Sequence, residues 1–200
     1  MQREAALKNW LAGHYPAQSF DWAFAAADAD FRRYFRAVFA DGRSVVCMDA
    51  PPDKMSIAPY IQVQQLFDMV HVPAILAADE AQGFMALEDL GQTTYLAALQ
   101  HDPRLPVHQT LLLDAIDELV QLQLGSRAGV LPEYDAAVMR REMQLFPDWF
   151  VAKELGQSFN FKQQQLWQQT LDALLPALTA QPQVYVHRDF IVRNLMLTRA

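Results

Sequence analysis

Tyr185-Val186-His187-Arg188-Asp189-Phe190-Ile191-Val192-Arg193-Asn194-Leu195-Met196-Leu197 decides how the rest of this chain is read. A polar loop lies between two apolar runs, Val184 to Val186 and Leu195 to Leu197, and the pattern predicts two short strands of a small hairpin with the loop at 187–194 between them. His-Arg-Asp followed, after four residues, by Asn supplies what phosphoryl transfer asks of a protein. A carboxylate must orient an acceptor hydroxyl and take its proton, and an oxygen must help to hold Mg2+ against the phosphates. Asp189 is the candidate base. Asn194 is the candidate metal ligand, and its neutral amide oxygen adds no charge beside a polyanion. His187 and Arg188 would support them: His187 by packing and hydrogen-bonding to fix the loop, Arg188 by lying against a neighbouring acidic group or the loop carbonyls.

Composition narrows the field. Two hundred residues, 52% of them hydrophobic, are enough for one domain or two small lobes with a core. A net charge of -7, with basic residues scattered or in short clusters such as Arg32-Arg33 and Arg140-Arg141, argues against nucleic acid or an anionic membrane as partner. The single cysteine, Cys47, sits in the apolar run Val45-Val46-Cys47-Met48, so it is expected in the core and forms no disulfide within the chain. That suits a reducing compartment. Arg3, Glu4 and Lys8 interrupt the apolar residues of the N-terminus and no run of eighteen apolar residues occurs, so the expected location is cytoplasmic. The five histidines are dispersed, without the close pairing of a zinc site.

Working outward from the loop, the first ninety residues read as strands with one main helix. Glu4 to His14 has apolar residues at helical spacing. Phe20 to Ala25, Phe31 to Phe39 and Ser44 to Met48 read as strands, the last two joined by a tight turn at Asp41-Gly42. Pro59 to Val70 reads as a helix opened by a proline and closed before Pro73, and Ala74 to Ala78 with Gly83 to Glu88 as an antiparallel pair. From Thr93 the periodicity turns helical, over 93–100, 107–124, 134–155 with a break or bend at Pro147, and 161–175. The run Gln163-Gln164-Gln165 with Gln168-Gln169 reads as a solvated helix face. The expected fold class is α+β in two unequal lobes, 1–90 with five antiparallel strands and 91–200 mostly helical, with the loop facing the crevice between them.

A strand-rich lobe, the connector Leu87-Glu88-Asp89-Leu90-Gly91, and a helical lobe holding His187-Arg188-Asp189 to Asn194 together resemble the aminoglycoside phosphotransferase family of small-molecule kinases, with its protein-kinase-like fold. Three further strings, Ala29 to Arg36, Met48-Asp49-Ala50-Pro51-Pro52 and Phe146-Pro147-Asp148-Trp149-Phe150, are similar to a narrower branch of it, bacterial kinases that phosphorylate the anomeric hydroxyl of N-acetylmuramate and N-acetylglucosamine in cell-wall recycling. The resemblance implies ATP and Mg2+ as cofactors and an amino sugar as acceptor. It implies backbone at Glu88, Asp89 and Leu90 against the adenine edge, Asp189 as base and Asn194 on Mg2+. Phe146, Trp149 and Phe150 would either stack on a sugar or pack a helix into the core.

Two departures from that pattern stand out. The family carries a lysine in the third strand and a glutamate in the following helix, whereas 44–49 has no lysine and 55–70 no glutamate. Arg32, Arg33 or Arg36 would then supply the charge for the nucleotide phosphates, with surface placement of a strand as the competing role; Lys54, in a proline-rich loop, is a weaker candidate. Kinases of this kind also take a second Mg2+ ligand from an aspartate beyond the next strand, and the sequence stops six residues after Asn194. The expectation is a C-terminally shortened kinase with an incomplete helical lobe, weakly active or inactive, and prone to self-association. A non-catalytic nucleotide- or sugar-binding form, or a kinase for an aminoglycoside, choline or homoserine, stands as the alternative.

Overall fold

The computed structural model describes residues 2–27, 31–101 and 104–198. Ala29 and Asp30 of the first resemblance string lie outside the described residues. Two compact units are present: Met1–Leu122 with Asp189–Ala200, and Gln123–Arg188. The composition boundary at 90/91 therefore falls inside the first unit.

The first unit opens with helix α1 (Gln2–His14), followed by β1 (Phe20–Ala27), β2 (Arg33–Phe39) and β3 (Ser44–Asp49). Helix α2 (Ala58–Leu66) leads to β4 (Ile75–Asp79) and β5 (Phe84–Glu88), then to α3 (Tyr95–His101) and α4 (Leu105–Leu124). The five strands form one antiparallel sheet in the order β1-β2-β3-β5-β4. Gly42, with φ +84°, makes the β2–β3 turn that Asp41-Gly42 announces.

Alternation along the strands divides the core between the two faces of the sheet. Phe35, Ala37, Phe39, Val45, Cys47, Phe84 and Ala86 pack with Leu7 and Leu11 of α1. Met48, Met85 and Leu87 pack on the other face with Ile57, Tyr60 and Ile61 from α2 and its N-terminal edge. Every strand of the central pair thus has both faces covered, which explains why β3 and β5 read as unbroken apolar runs. Helix α2 ends at Leu66, before the expected Val70, because Phe67 leaves helical geometry at φ -96°, ψ 42°.

The second unit holds α5 (Ala136–Leu145), a π-helical turn pair (Phe146–Glu154) and α6 (Phe161–Thr179). The expected helix over 134–155 changes hydrogen-bond pattern at Pro147, near the start of the π segment. Proline removes one N–H and its ring crowds the preceding turn, and widening the coil relieves both. Asp135 caps α5 through Val138 N–H, and Asn160 with Gln163 closes a capping box on α6. The glutamines of α6 are exposed.

Candidate active site

The loop 189–194 in the first unit is wound by two backbone hydrogen bonds, Ile191 N–H to Asp189 C=O at 3.1 Å and Asn194 N–H to Ile191 C=O at 2.8 Å. That winding brings the two side chains singled out by spacing into contact. Asn194 Nδ2 donates to Asp189 Oδ2 at 2.6 Å and to the Asp189 carbonyl at 3.1 Å. One amide thereby orients the carboxylate, and its opposite end, Oδ1, is the atom it can offer to a cation. Both residues are exposed.

The apolar runs around the loop do not form the expected hairpin. Tyr185 N–H instead donates to Ser126 Oγ at 2.7 Å within the second unit. Leu195 to Leu197 pairs with the segment that follows the connector: Tyr95 N–H to Leu195 C=O at 2.9 Å, Leu197 N–H to Thr93 C=O at 2.8 Å, and an isolated antiparallel bridge between Thr94 and Met196. Leu96 N–H reaches Val192 C=O at 2.9 Å, so four consecutive residues, 93–96, brace the 189–194 loop and the segment that follows it. Backbone groups must find partners, and here they find them far along the chain.

The connector is fixed just as tightly at its other end. Glu88 accepts from Ala74 N–H at 3.1 Å, and Asp89 takes a two-pronged ion pair from Arg36 on β2, Nε to Oδ2 at 2.6 Å and Nη2 to Oδ1 at 2.9 Å. Arg36 Nη2 also donates to Gly91 C=O at 2.7 Å, and Gly91 N–H closes back on Asp89 Oδ1 at 3.0 Å. Burial would raise the Asp89 carboxyl, but hydrogen bonds from Arg36, Ser44 and Gly91 outweigh it and hold it below its ordinary value. Arg36 is shifted upward chiefly by its hydrogen bonds to Asp89. With the acidic side chains engaged in this way, the connector's offer to a ligand is its main chain.

The three candidate arginines separate. Arg33 is drawn to Asp49, its cross-strand partner: Nη2 to Oδ2 at 2.6 Å, on the face that carries α1. Arg3 of α1 holds the other oxygen through Nε and Nη2, at 2.8 and 2.6 Å. Arg36 is committed to the connector. Arg32 lies on the α2 side, close enough to Tyr60 that its charge offsets part of the upward push of burial on that phenol. Lys54 sits beside Asp53 at 3.4 Å in the loop after β3. Asp49, wholly buried and charged, and its partner Arg3 went unnoticed as a unit in the sequence. The signal was there, since a charge ending an apolar strand needs a partner and counting back from the Asp41-Gly42 turn sets Arg33 opposite it.

In the second unit, Arg188 forms an ion pair with Glu142, which also accepts a hydrogen bond from the Tyr134 hydroxyl. The hydrogen bond from Tyr134, with the charge and hydrogen bond of Arg188, keeps the Glu142 carboxyl below its ordinary value against the opposing effect of burial. Arg188 has φ +70°, a left-handed conformation that costs a residue with a Cβ roughly 1–2 kcal/mol. The strain falls on the residue next to Asp189. His187 is exposed. Phe146 and Phe150 are about half exposed and Trp149 more so, with Phe146 stacked on Phe150 at 5.5 Å and tilted against Trp167 of α6 at 5.7 Å.

Sequence comparison shows the family to which the sheet, the braced connector and the Asp-Asn loop belong. Residues 21–200 match the phosphotransferase enzyme family (APH), and the chain belongs to it. It is 67% identical over 199 residues to a protein of Neisseria meningitidis serogroup B named N-acetylmuramate/N-acetylglucosamine kinase. It is 46% identical over 177 residues to a protein of that name from Pseudomonas aeruginosa, and 44% over 186 residues to one from Pseudomonas putida. These alignments take in 100%, 87% and 92% of this chain, and 60%, 51% and 53% of the relatives. The chain thus spans between half and three-fifths of the length of the curated relatives it matches. Among the described residues no helix is long and apolar enough to cross a membrane.

Proposed function

We propose that the protein is a cytoplasmic ATP-dependent kinase that phosphorylates the anomeric hydroxyl of N-acetylmuramate or N-acetylglucosamine. The observation that carries this reading is the Asp189–Asn194 pair, held at 2.6 Å on a braced loop in a chain so similar to proteins with that name. Asp189 would receive the proton of the sugar hydroxyl as it attacks, and Asn194 would keep the carboxylate aimed. One neutral amide oxygen beside one carboxylate suits a cation carried mainly by phosphate oxygens, and no larger group of His, Cys, Asp or Glu able to hold a metal occurs among the described residues. Mg2+ entering with the nucleotide would neutralise the charge on the transferring phosphate. The main chain of Glu88 to Leu90 would take the adenine edge. Arg32, on the α2 face, is the arginine best placed for the phosphates, since Arg33 is turned to Asp49 on the opposite face.

A second reading, a non-catalytic nucleotide- or sugar-binding form, draws support from β3 (Ser44–Asp49), which has no lysine where the resembled family carries one in its third strand. Transfer from labelled ATP to N-acetylmuramate, N-acetylglucosamine, an aminoglycoside, choline and homoserine, with an Asp189→Asn control, separates the two. Sugar phosphate lost in the control is the expected result. Binding of Mg-ATP without product would favour the second reading, and no nucleotide binding by folded protein would sink both.

A further inference from the structure

Arg36 has a side chain shaped for phosphate, yet its planar fork is used on the protein itself. Two of its nitrogens grip the Asp89 carboxylate and one of them also holds Gly91 C=O. The pair is nearly dry: the Arg36 side chain is 19% exposed and that of Asp89 4%. Gly91 sits at φ +97°, a turn that glycine tolerates and that the clamp keeps in place. Two residues later begins the segment 93–96, whose backbone bonds to Val192, Leu195 and Leu197 hold the Asp189–Asn194 loop. Arg36 therefore fixes one end of a short strap whose other end is the catalytic loop. The main chain proposed to meet adenine lies at the clamped end.

We propose that Arg36 is a positioning residue: by clamping Asp89 and Gly91 it sets both the nucleotide-facing main chain at 88–90 and the register of 93–96 against the catalytic loop. Its effect on turnover rests on the kinase reading above, whereas its effect on the strap does not. A lysine would keep the charge but not the two-pronged geometry, so charge alone should restore only part of the function.

The test compares Arg36→Met, Arg36→Lys, Asp89→Asn and the Arg36→Met/Asp89→Asn double variant by amide hydrogen exchange and by steady-state kinetics with ATP. Exchange at the amides of Tyr95, Leu96 and Leu197 is expected to rise about tenfold or more in Arg36→Met, with Phe39 and Ala50, bonded to Arg43 and Gly83, unchanged. KM for ATP should rise and kcat fall together, Arg36→Lys should lie between, and the double variant should be no worse than the more affected single one. Equal loosening at Phe39 and Ala50, or no loosening at Tyr95, Leu96 and Leu197, would overturn the proposal. If the wild type transfers no phosphate, the kinase reading fails, and the exchange measurements alone decide the clamp.

Discussion

Arg33 and Asp49 stand opposite each other across β2 and β3, and their side chains close a 2.6 Å ion pair on the face of the sheet that carries α1. Arg3, the second cation on the same carboxylate, comes from α1 and also donates to Gln82 C=O at 2.7 Å. The carboxylate is wholly buried while both arginines are about a third exposed, so the cost of desolvation falls on Asp49. Either arginine alone still pairs it. Arg3→Met or Arg33→Met should therefore cost about 1–2 kcal/mol, and the double substitution clearly more than their sum, because it strands a buried charge. Urea unfolding of the four proteins measures this, and additive losses would mean that the arginines do not share the carboxylate.

Asp189→Asn should lower phosphoryl transfer by about a hundredfold to ten-thousandfold, the usual weight of a general base, while leaving the thermal midpoint close to that of the wild type. The loop is exposed, and its winding depends on backbone bonds and on the Asn194 side chain donating to the Asp189 carbonyl, all of which the substitution keeps. Asn194→Ala should cost both activity and loop order, since it removes both side-chain bonds to Asp189. A transfer rate unaffected by Asp189→Asn would exclude this carboxylate as the base.

The sheet was legible because its signals are local. Alternation marks each strand, and Asp41-Gly42 fixes the β2–β3 register from which the Arg33–Asp49 pairing follows by counting. The Asp189 and Asn194 pair was legible for a similar reason, since two residues five apart on one loop can be judged from spacing. What stayed hidden depends on contacts between distant parts of the chain. Leu195 to Leu197 looked like half of a hairpin, but its partner is 93–95, and nothing in either segment names the other. Arg36 stood as one of three arginines that could meet the nucleotide phosphates, and only the path of the connector reveals its carboxylate. Whether Phe146, Trp149 and Phe150 meet a ligand or a neighbouring helix was not legible either, because aromatic character suits both roles.

Cys47 lies between β2 and β5 with no exposed surface, and burial pushes its thiol up to about 12. Thiolate is the reactive species, so the native protein should resist alkylation at pH 8 and react only as it unfolds. With a single cysteine in the chain, the labelling rate in increasing urea reports opening of the sheet core directly. Rapid, stoichiometric labelling without denaturant would show that the β2–β3–β5 core opens on its own.

The clamp on the connector also makes a prediction about acid. The Asp89 carboxyl titrates below its ordinary value in the folded protein, because Arg36, Ser44 and Gly91 hydrogen-bond its charged form more than burial opposes it. A group whose folded value is depressed adds stability wherever it is ionised in both states, that is, above the ordinary carboxylate value near 4. As pH falls through that value the unfolded chain binds the proton first, and the contribution drains away until the folded carboxyl is protonated too. The stability difference between wild type and Asp89→Asn should therefore be constant from about pH 8 to pH 5 and shrink below about pH 4. Arg36 stays charged throughout, so the change belongs to the carboxylate. Chemical denaturation of both proteins at closely spaced pH values measures the difference, and a gap that widens toward acid would mean that the pair does not stabilise the ionised form.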